Sequence, residues 1–224
     1  MKVLIIEDEP AMANSIAEYL SGEDYICEFA PDYKSALQKI IGHNYDCILL
    51  DIMLPDGNGI KLLEEIKAQG NEDGVIIISA KDSIEDKITG LHIGADDYLT
   101  KPFHLSELSA RMYSVIRRKS FNSSNRIIQR EIEIDLPSKC VTVNGNQVLL
   151  TKKEFGLLLF FIGNPNKVIS KSALAEYLSG DYADMFDNHD FVYAHVKNLK
   201  KKLSEGGYGS YLKTVYGTGY KWEK

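Results

Sequence analysis

Residues 48–59 read ILLDIMLPDGNG. The apolar run Cys47–Leu50 is too short for a helix and ends abruptly on Asp51, and an amphipathic helical pattern follows at Ile60–Ala68. The same strand-then-helix grammar repeats outward in both directions. Lys2–Ile6, Ile26–Ala30, Val75–Ser79 and Tyr98–Thr100 have the length and Val/Ile content of strands. Helical patterns lie near Ala11–Leu20, Tyr33–Ile41, Ile84–Ile93 and Leu105–Arg118. Five such units predict an α/β doubly wound five-stranded parallel sheet, because parallel neighbours require crossover connections.

Sites in such sheets sit at the carboxyl ends of the strands. Here those ends carry Glu7 and Asp8, Asp51, Ser79 and Lys101. Three carboxylates meeting at one edge repel one another and call for a cation, and hard oxygen ligands suit Mg²⁺. Lys101 can then pair with a phosphoryl group and Ser79 can donate a hydrogen bond to it. An aspartate beside a divalent ion can act as a phosphoryl-accepting nucleophile. Singly, each residue is an ordinary cap, turn or surface position; together, at successive strand ends, they predict a phosphoacceptor at Asp51.

The chain's 224 residues, 44% hydrophobic, fit one large or two ordinary domains. The start, MKVLIIEDEP, lacks both the length of a membrane span and the basic opening of a signal peptide. Cys27, Cys47 and Cys140 are widely spaced and suit neither a disulfide framework nor a zinc site, so a cytoplasmic protein is expected, without membrane attachment. Residues 1–121 hold 12 Lys+Arg against 21 Asp+Glu, whereas residues 122–224 hold 14 against 11, a balance of −9 against +3. An acidic first half and a basic second half point to two domains with different partners.

The Ser/Asn-rich segment KSFNSSN at 119–125 reads as the linker between domains 1–118 and 126–224. Beyond it, strands are expected at Glu131–Asp135, Cys140–Val143 and Gln147–Leu150, with a turn at Asn144–Gly145. Thr151 and Glu154 form a capping box for a helix running to Ile162, and a second helix is expected at Lys171–Leu178. A third, Asp190–Ser204, buries Val192, Val196, Leu199 and Leu203. Its other face carries Lys197 and Lys201, flanked by Tyr193 and Asn198, with Lys200 and Lys202 to the sides. The cations can neutralise phosphates, while Tyr193 and Asn198 can reach base edges. The run YLKTVYGTGYKWEK then reads as a hairpin turning at Gly217–Gly219.

With these residues in place, the first half resembles a CheY-type (flavodoxin-like) receiver through IIEDEP at 5–10, ILLDIMLPDGNG at 48–59 and GADDYLTKPF at 94–103. The second half resembles the α+β winged-helix domain of OmpR/PhoB-family response regulators through LLTKKEFGLLLFFIGNPNKVISKSAL, HVKNLKKKL and TVYGTGYKW. The resemblance implies that a sensor histidine kinase phosphorylates Asp51, with Mg²⁺ held by Asp8, Asp51 and the carbonyl of Met53 and assisted by Glu7 through water. It implies Ser79 and Tyr98 as the switch pair, Lys101 as the phosphate partner, and a cis Lys101–Pro102 bond. Phosphorylation adds roughly −2 charge beside Lys101 and Ser79; Ser79 is drawn toward it, and Tyr98 turns inward into the vacated space. Met53 and Lys81, two residues beyond Asp51 and Ser79, offer no base for an attacking water, so self-dephosphorylation is expected to be slow.

Lys87, Asp96, Asp97, Glu107, Arg111 and Arg118 flank apolar Ile88, Leu91 and Ala110, a mixed-charge face suited to a two-fold pair. The resemblance makes this the homodimer face on activation. It also implies that helix three enters the major groove of double-stranded promoter DNA, with the hairpin as wing, and RNA polymerase is a further candidate partner. Asp190, Tyr193, Asn198 and wing residue Tyr216 stand where the family often has Arg, Asp, Arg and Arg, so target sequence does not transfer. Three rival readings stay open: a DNA-binding regulator independent of phosphorylation, a purely protein-binding output domain, and a Mg²⁺-dependent aspartyl phosphohydrolase. The last would want an acid/base aspartate where Met53 stands, and no enzyme is expected. His43, His92, His104, His189 and His195 are scattered and form no metal pair.

Overall fold

The computed structural model describes residues 1–23, 25–120, 125–179 and 190–223. It divides into two compact units, Met1–Ser123 and Ser124–Lys224. Residues 121–124 of the expected linker, and His189, lie outside the described residues.

Unit 1 runs β1 (Lys2–Ile6), α1 (Pro10–Gly22), β2 (Ile26–Ala30), α2 (Tyr33–Gly42) and β3 (Cys47–Asp51). Two short strands, β4 (Met53–Leu54) and β5 (Gly57–Asn58), precede α3 (Gly59–Ala68), β6 (Gly74–Ser79), α4 (Ile84–Ile93), β7 (Asp97–Thr100) and α5 (Leu105–Ser120). The long strands form a parallel sheet in the order β2-β1-β3-β6-β7. Alternate strand residues face opposite layers. Leu4, Ile6, Ile48, Leu50 and Ile77 pack with Ala36, Ile40, Leu62 and Ile66 of α2 and α3. Val3, Ile5, Leu49, Ile76 and Ile78 pack with Ile16, Leu20, Met112 and Val115 of α1 and α5. Burying each large aliphatic side chain contributes about 1.5–3 kcal/mol, and β1, β3 and β6 are buried along their whole length because helices cover both faces. The strand order reverses between β1 and β3, which places Glu7, Asp8 and Asp51 at the crevice.

The expected element boundaries shift slightly, each for a local reason. Helix α1 begins at Pro10, which suits a first turn because its missing N–H has no helical partner there. Asp51 belongs to β3 because it pairs with Ile78, and Gly74 belongs to β6 because it pairs with Cys47.

Unit 2 opens with an antiparallel sheet in the order β11-β10-β9-β8, from β8 (Arg126–Gln129), β9 (Ile132–Asp135), β10 (Cys140–Val143) and β11 (Asn146–Val148). Helix α6 (Lys152–Gly163), β12 (Val168–Ser170), α7 (Lys171–Ser179), α8 (Asp190–Glu205), β13 (Leu212–Val215) and β14 (Gly219–Trp222) complete it. Strands β8 and β12 are absent from the sequence reading. Glu131 lies in the β8–β9 turn after Arg130 (φ 56°), not in a strand, and its carboxylate accepts from Gly209 N–H. Leu149 and Leu150 fall outside β11, which ends where pairing with β10 ends. Asn144 and Gly145 both have positive φ, as a tight hairpin requires. Gly219 has no room for a side chain, since a Cβ there would stand 1.9 Å from the Ile169 carbonyl oxygen.

The capping box forms as expected: Glu154 N–H donates to Thr151 Oγ1, and the Glu154 carboxylate accepts from Thr151 N–H. Glu154 is buried and also pairs with Lys202 of α8 at 2.7 Å. The predicted stripe of α8, Val192, Val196, Leu199 and Leu203, is buried against this layer. Burial opposes ionisation of Glu154, but the hydrogen bonds from Lys202 and Thr151 outweigh it and hold its carboxyl below the usual range. That stabilisation is therefore present above the unfolded glutamate pKa of about 4.3 and is lost as pH falls through the lowered native value. Lys202→Met should cost unit 2 roughly 1–2 kcal/mol at neutral pH. Urea unfolding followed by fluorescence of Trp222, the single tryptophan and fully buried in β14, measures it, and the deficit should narrow in acid.

Candidate functional site

The sheet delivers five polar side chains to one edge. Glu7 and Asp8 follow β1, Asp51 ends β3, Ser79 ends β6 and Lys101 follows β7. Glu7, Asp8 and Asp51 each place a carboxylate oxygen within 4.8 Å of the others. Glu7 and Asp51 are 4% exposed, while Asp8 faces solvent. Lys101 Nζ donates to Asp51 Oδ2 at 2.6 Å and to Glu7 Oε2 at 2.7 Å. Met53 N–H donates to Asp51 Oδ1 at 2.9 Å. The chain returns closely here: a Cβ on Gly59 would stand 2.2 Å from the Asp51 carbonyl oxygen.

These contacts set the electrostatics. Burial pushes the Glu7 carboxyl up; Lys101 opposes this, Asp51 adds to it, and the net shift is upward. Burial pulls the Lys101 ammonium down, but its bonds to Asp51 and Glu7 outweigh that and raise it. The all-oxygen donor set with one carboxylate open to solvent can hold a hard divalent cation.

Ser79 is fully buried, and its Oγ accepts from Lys81 N–H at 3.2 Å. Tyr98 is buried too, donating its hydroxyl to the Lys81 carbonyl at 2.9 Å. The tyrosine thus already occupies the inward position that the sequence reading reserved for the phosphorylated form. Met53 and Lys81 both face solvent. The Lys101–Pro102 bond is cis.

On α4, Ile88 and Leu91 are 48% and 44% exposed. On α5, Arg111 pairs with Asp97 of β7 at 3.0 Å and with Glu107 at 2.8 Å. Arg118 donates to the Asp96 carbonyl, and Lys119 pairs with the Asp96 carboxylate at 3.2 Å. Lys87 is half-buried and Ala110 exposed. The sequence reading missed Ile84, also exposed, although its spacing to Ile88 and Leu91 along one helix face signals it.

On α8, Tyr193, Lys197, Asn198 and Lys201 are exposed, with Lys197 Nζ 5.9 Å from the centre of the Tyr193 ring. Lys200 behaves differently: half-buried, it donates to Thr214 Oγ1 of β13 at 2.9 Å and lies 5.4 Å from the ring centre of Tyr220 in β14. Tyr216, in the hairpin turn, is 94% exposed. Exposed Lys213 on β13 also escaped the sequence reading.

A doubly wound unit with clustered acids and a paired lysine at its crevice, followed by a winged helix with an exposed basic face, defines a response regulator with a DNA-binding output unit. Residues 3–113 match the response regulator receiver domain, and residues 145–222 match the family described as transcriptional regulatory protein, C terminal. The chain is 35% identical to the response regulator ArlR of Staphylococcus haemolyticus, covering 97% of each chain. It is 34% identical to the transcriptional regulatory protein CiaR of Streptococcus pneumoniae, over 98% of this chain and 97% of the relative. Among solved structures, the receiver domain of Francisella response regulator 1452 aligns with 52% of this chain and 97% of its own, at 42% identity and a TM-score of 0.51. The chain belongs to the OmpR/PhoB-type two-component response regulators, with a receiver and an OmpR-type DNA-binding domain. Among the described residues, no helix is long and apolar enough to cross a membrane.

The raised carboxyl of Glu7 carries a thermodynamic consequence. A native pKa above the unfolded one is a cost fully present above the native value and relieved as pH falls toward the unfolded value. Glu7→Gln should therefore stabilise unit 1 in metal-free buffer at neutral pH, by about 1 kcal/mol, as removal of strained site charges commonly does. Calorimetric melting across pH checks this; the gain should shrink in acid.

Proposed function

We propose that Asp51 accepts a phosphoryl group from a sensor histidine kinase, and that the receiver then pairs with a second copy and directs the winged helix to promoter DNA. The observation that carries this reading is the ammonium of Lys101 bridging two buried carboxylates, Asp51 and Glu7, at the strand-order reversal. A lysine held there would meet a phosphoryl oxygen once Asp51 carries an acyl phosphate. In that transfer the phosphorus–nitrogen bond to the kinase histidine breaks, a phosphorus–oxygen bond to Asp51 forms, and the imidazole keeps the electron pair.

Asp8, Asp51 and the Met53 carbonyl would hold Mg²⁺, with Glu7 assisting through water. When bound, the ion neutralises the carboxylates and the incoming phosphoryl oxygens. Ser79 would donate a hydrogen bond to the phosphoryl group, with Tyr98 as its switch partner. Ile88, Leu91 and Ala110 with Lys87, Asp96, Asp97, Glu107, Arg111 and Arg118 form the dimer face. Tyr193, Lys197, Asn198, Lys201 and Tyr216 make up the DNA-facing set, with Lys200, held by Thr214 and Tyr220, at its edge, and RNA polymerase is a further partner. The domains are 1–118 and 126–224 joined through 119–125, whose first two residues, Lys119 and Ser120, close α5, in a cytoplasmic protein that turns over no substrate of its own. Met53 lacks the acid/base group a phosphohydrolase needs at that position.

One observation favours a second reading, in which DNA binding does not await phosphorylation: Tyr98 already lies inward. Comparing dimerisation and promoter affinity before and after acetyl phosphate treatment separates the two. A large gain on treatment supports the phosphorylation switch, and equal affinity supports the second reading.

The wild-type chain should take up a phosphoryl group in Mg²⁺ and Asp51→Asn should not. Because neither Met53 nor Lys81 can activate water, the acyl-phosphate should decay over minutes to hours; decay within seconds would refute this. DNA binding should weaken steeply with salt, and Lys197→Met should lower the slope of log affinity against log salt by roughly 1.

A further inference from the structure

The acceptor loop is fastened at a point remote from the acceptor itself. Helix α2 starts with three N–H groups that no helical carbonyl serves, on Tyr33, Lys34 and Ser35. Its own cap, Asp32, takes only Ser35 N–H, at 2.7 Å. Asp56, from the loop after the acceptor, takes the other two: Tyr33 N–H to Oδ1 at 2.7 Å and Lys34 N–H to Oδ2 at 3.1 Å. A carboxylate across a helix N-terminus is favoured by charge as well as by hydrogen bonding.

Three further contacts show that this grip locates the loop closely. A Cβ on Gly57 would stand 2.8 Å from the Tyr33 ring, so the two segments are in close contact. The Tyr33 hydroxyl donates to Glu65 of α3 at 2.7 Å, tying the same residue to the helix that follows the loop. Met53 pairs with Asn58, and Leu54 with Gly57, so the loop is a short hairpin whose two arms move together. One arm bears Met53, whose N–H donates to Asp51; the other follows Asp56, which lies in the turn between the arms, and ends at Asn58, which caps α3.

We propose that Asp56 is a positioning residue for the acceptor site: its double bond to the first turn of α2 holds the 53–58 hairpin, and with it the Met53 backbone beside Asp51. This rests on the reading of Asp51 as phosphoacceptor with Met53 among the Mg²⁺ ligands. Asp56 touches neither the ion nor the phosphoryl group in this scheme. Loosening it should weaken Mg²⁺ binding and slow phosphoryl uptake without removing any ligand.

The alternative, that Asp56 serves only the stability of α2, is tested by comparing the two caps. Asp32→Ala removes one cap bond of α2 and leaves the loop tether, whereas Asp56→Ala removes the tether and leaves Asp32. Mg²⁺ dissociation constants are measured by titration calorimetry on the full chain, beside thermal melting and the Mg²⁺ dependence of labelling by acetyl phosphate. Asp56→Ala should weaken Mg²⁺ about five-fold, the size of a lost helix cap. Asp56→Asn, which keeps an acceptor oxygen, should recover most of the loss, and Asp32→Ala should stay within about two-fold of wild type. An unchanged Mg²⁺ constant in Asp56→Ala, or an equal loss in Asp32→Ala, overturns the proposal. Absence of Asp51-dependent labelling in the wild-type chain would instead overturn the acceptor reading, and the tether's purpose with it.

Discussion

Glu7 and Asp51 are buried side by side at the end of two adjacent parallel strands, with one ammonium, that of Lys101, between them. Two carboxylates withdrawn from water repel each other and lose hydration, and a single lysine does not restore full neutrality. Much of unit 1 is arranged to hold this unfavourable cluster together. Strands β1 and β3 are buried along their whole length, and their registers fix where Glu7 and Asp51 emerge. Gly59 lets the returning chain pass against the Asp51 carbonyl where any side chain would collide. A divalent cation bound among these carboxylates would relieve the largest local imbalance of charge in unit 1.

The same cluster borders a continuous set of packed groups that reaches the outer face. Ser79 Oγ and the Lys81 backbone are joined by one hydrogen bond, and the Lys81 carbonyl and Tyr98 by another. The Tyr98 ring lies against Gly90, whose missing side chain lets α4 approach Ile77 of β6. On its far side α4 exposes Ile84, Ile88 and Leu91. Next to Tyr98 in the chain, Asp97 pairs with Arg111 of α5. Ser79, at the same strand edge as Asp51, therefore has a short physical path to α4 and α5, through tightly packed contacts.

Legibility from sequence follows the range of the interaction concerned. Period and length sufficed for the five parallel strands and for the buried stripe of α8, because burial on one face imprints itself on local spacing. The capping box at Thr151 and Glu154 is equally local. The convergence of Glu7, Asp8 and Asp51 was legible because strand ends in a parallel sheet meet by topology. Strand β8 was not, since Arg126 and Gln129 around two isoleucines give an edge strand little apolar signal, and β12 is only three residues long. The Glu131 carboxylate on Gly209 and the Asp56 carboxylate on α2 join segments far apart in sequence, and nothing in their immediate neighbours announces them. The already inward Tyr98 depends on a rotamer, which no pattern of residue types records.

The basic helix shows why charge counting overstates a DNA-binding face. Four lysines, 197, 200, 201 and 202, stand on α8, and the sequence reading assigned three of them to DNA. Lys202 is occupied by buried Glu154, where it ties α8 to α6. Lys200 is turned into the hairpin, where Thr214 and Tyr220 hold it and burial, together with Lys213, lowers its affinity for a proton. Lys201 shares its charge with Glu205 one turn on, at 3.8 Å and with both side chains exposed, a pairing too weak to withhold it from a phosphate. Among the described residues, Lys197 meets the face of Tyr193 and is otherwise exposed. The cations readiest for phosphate on this helix are thus Lys197 and Lys201, one turn apart on the same face and flanked by Tyr193 and Asn198. On the proposed DNA-binding reading, two cations would supply modest sequence-independent affinity, and base discrimination would fall to the neutral groups around them, Tyr193, Asn198 and the exposed Tyr216.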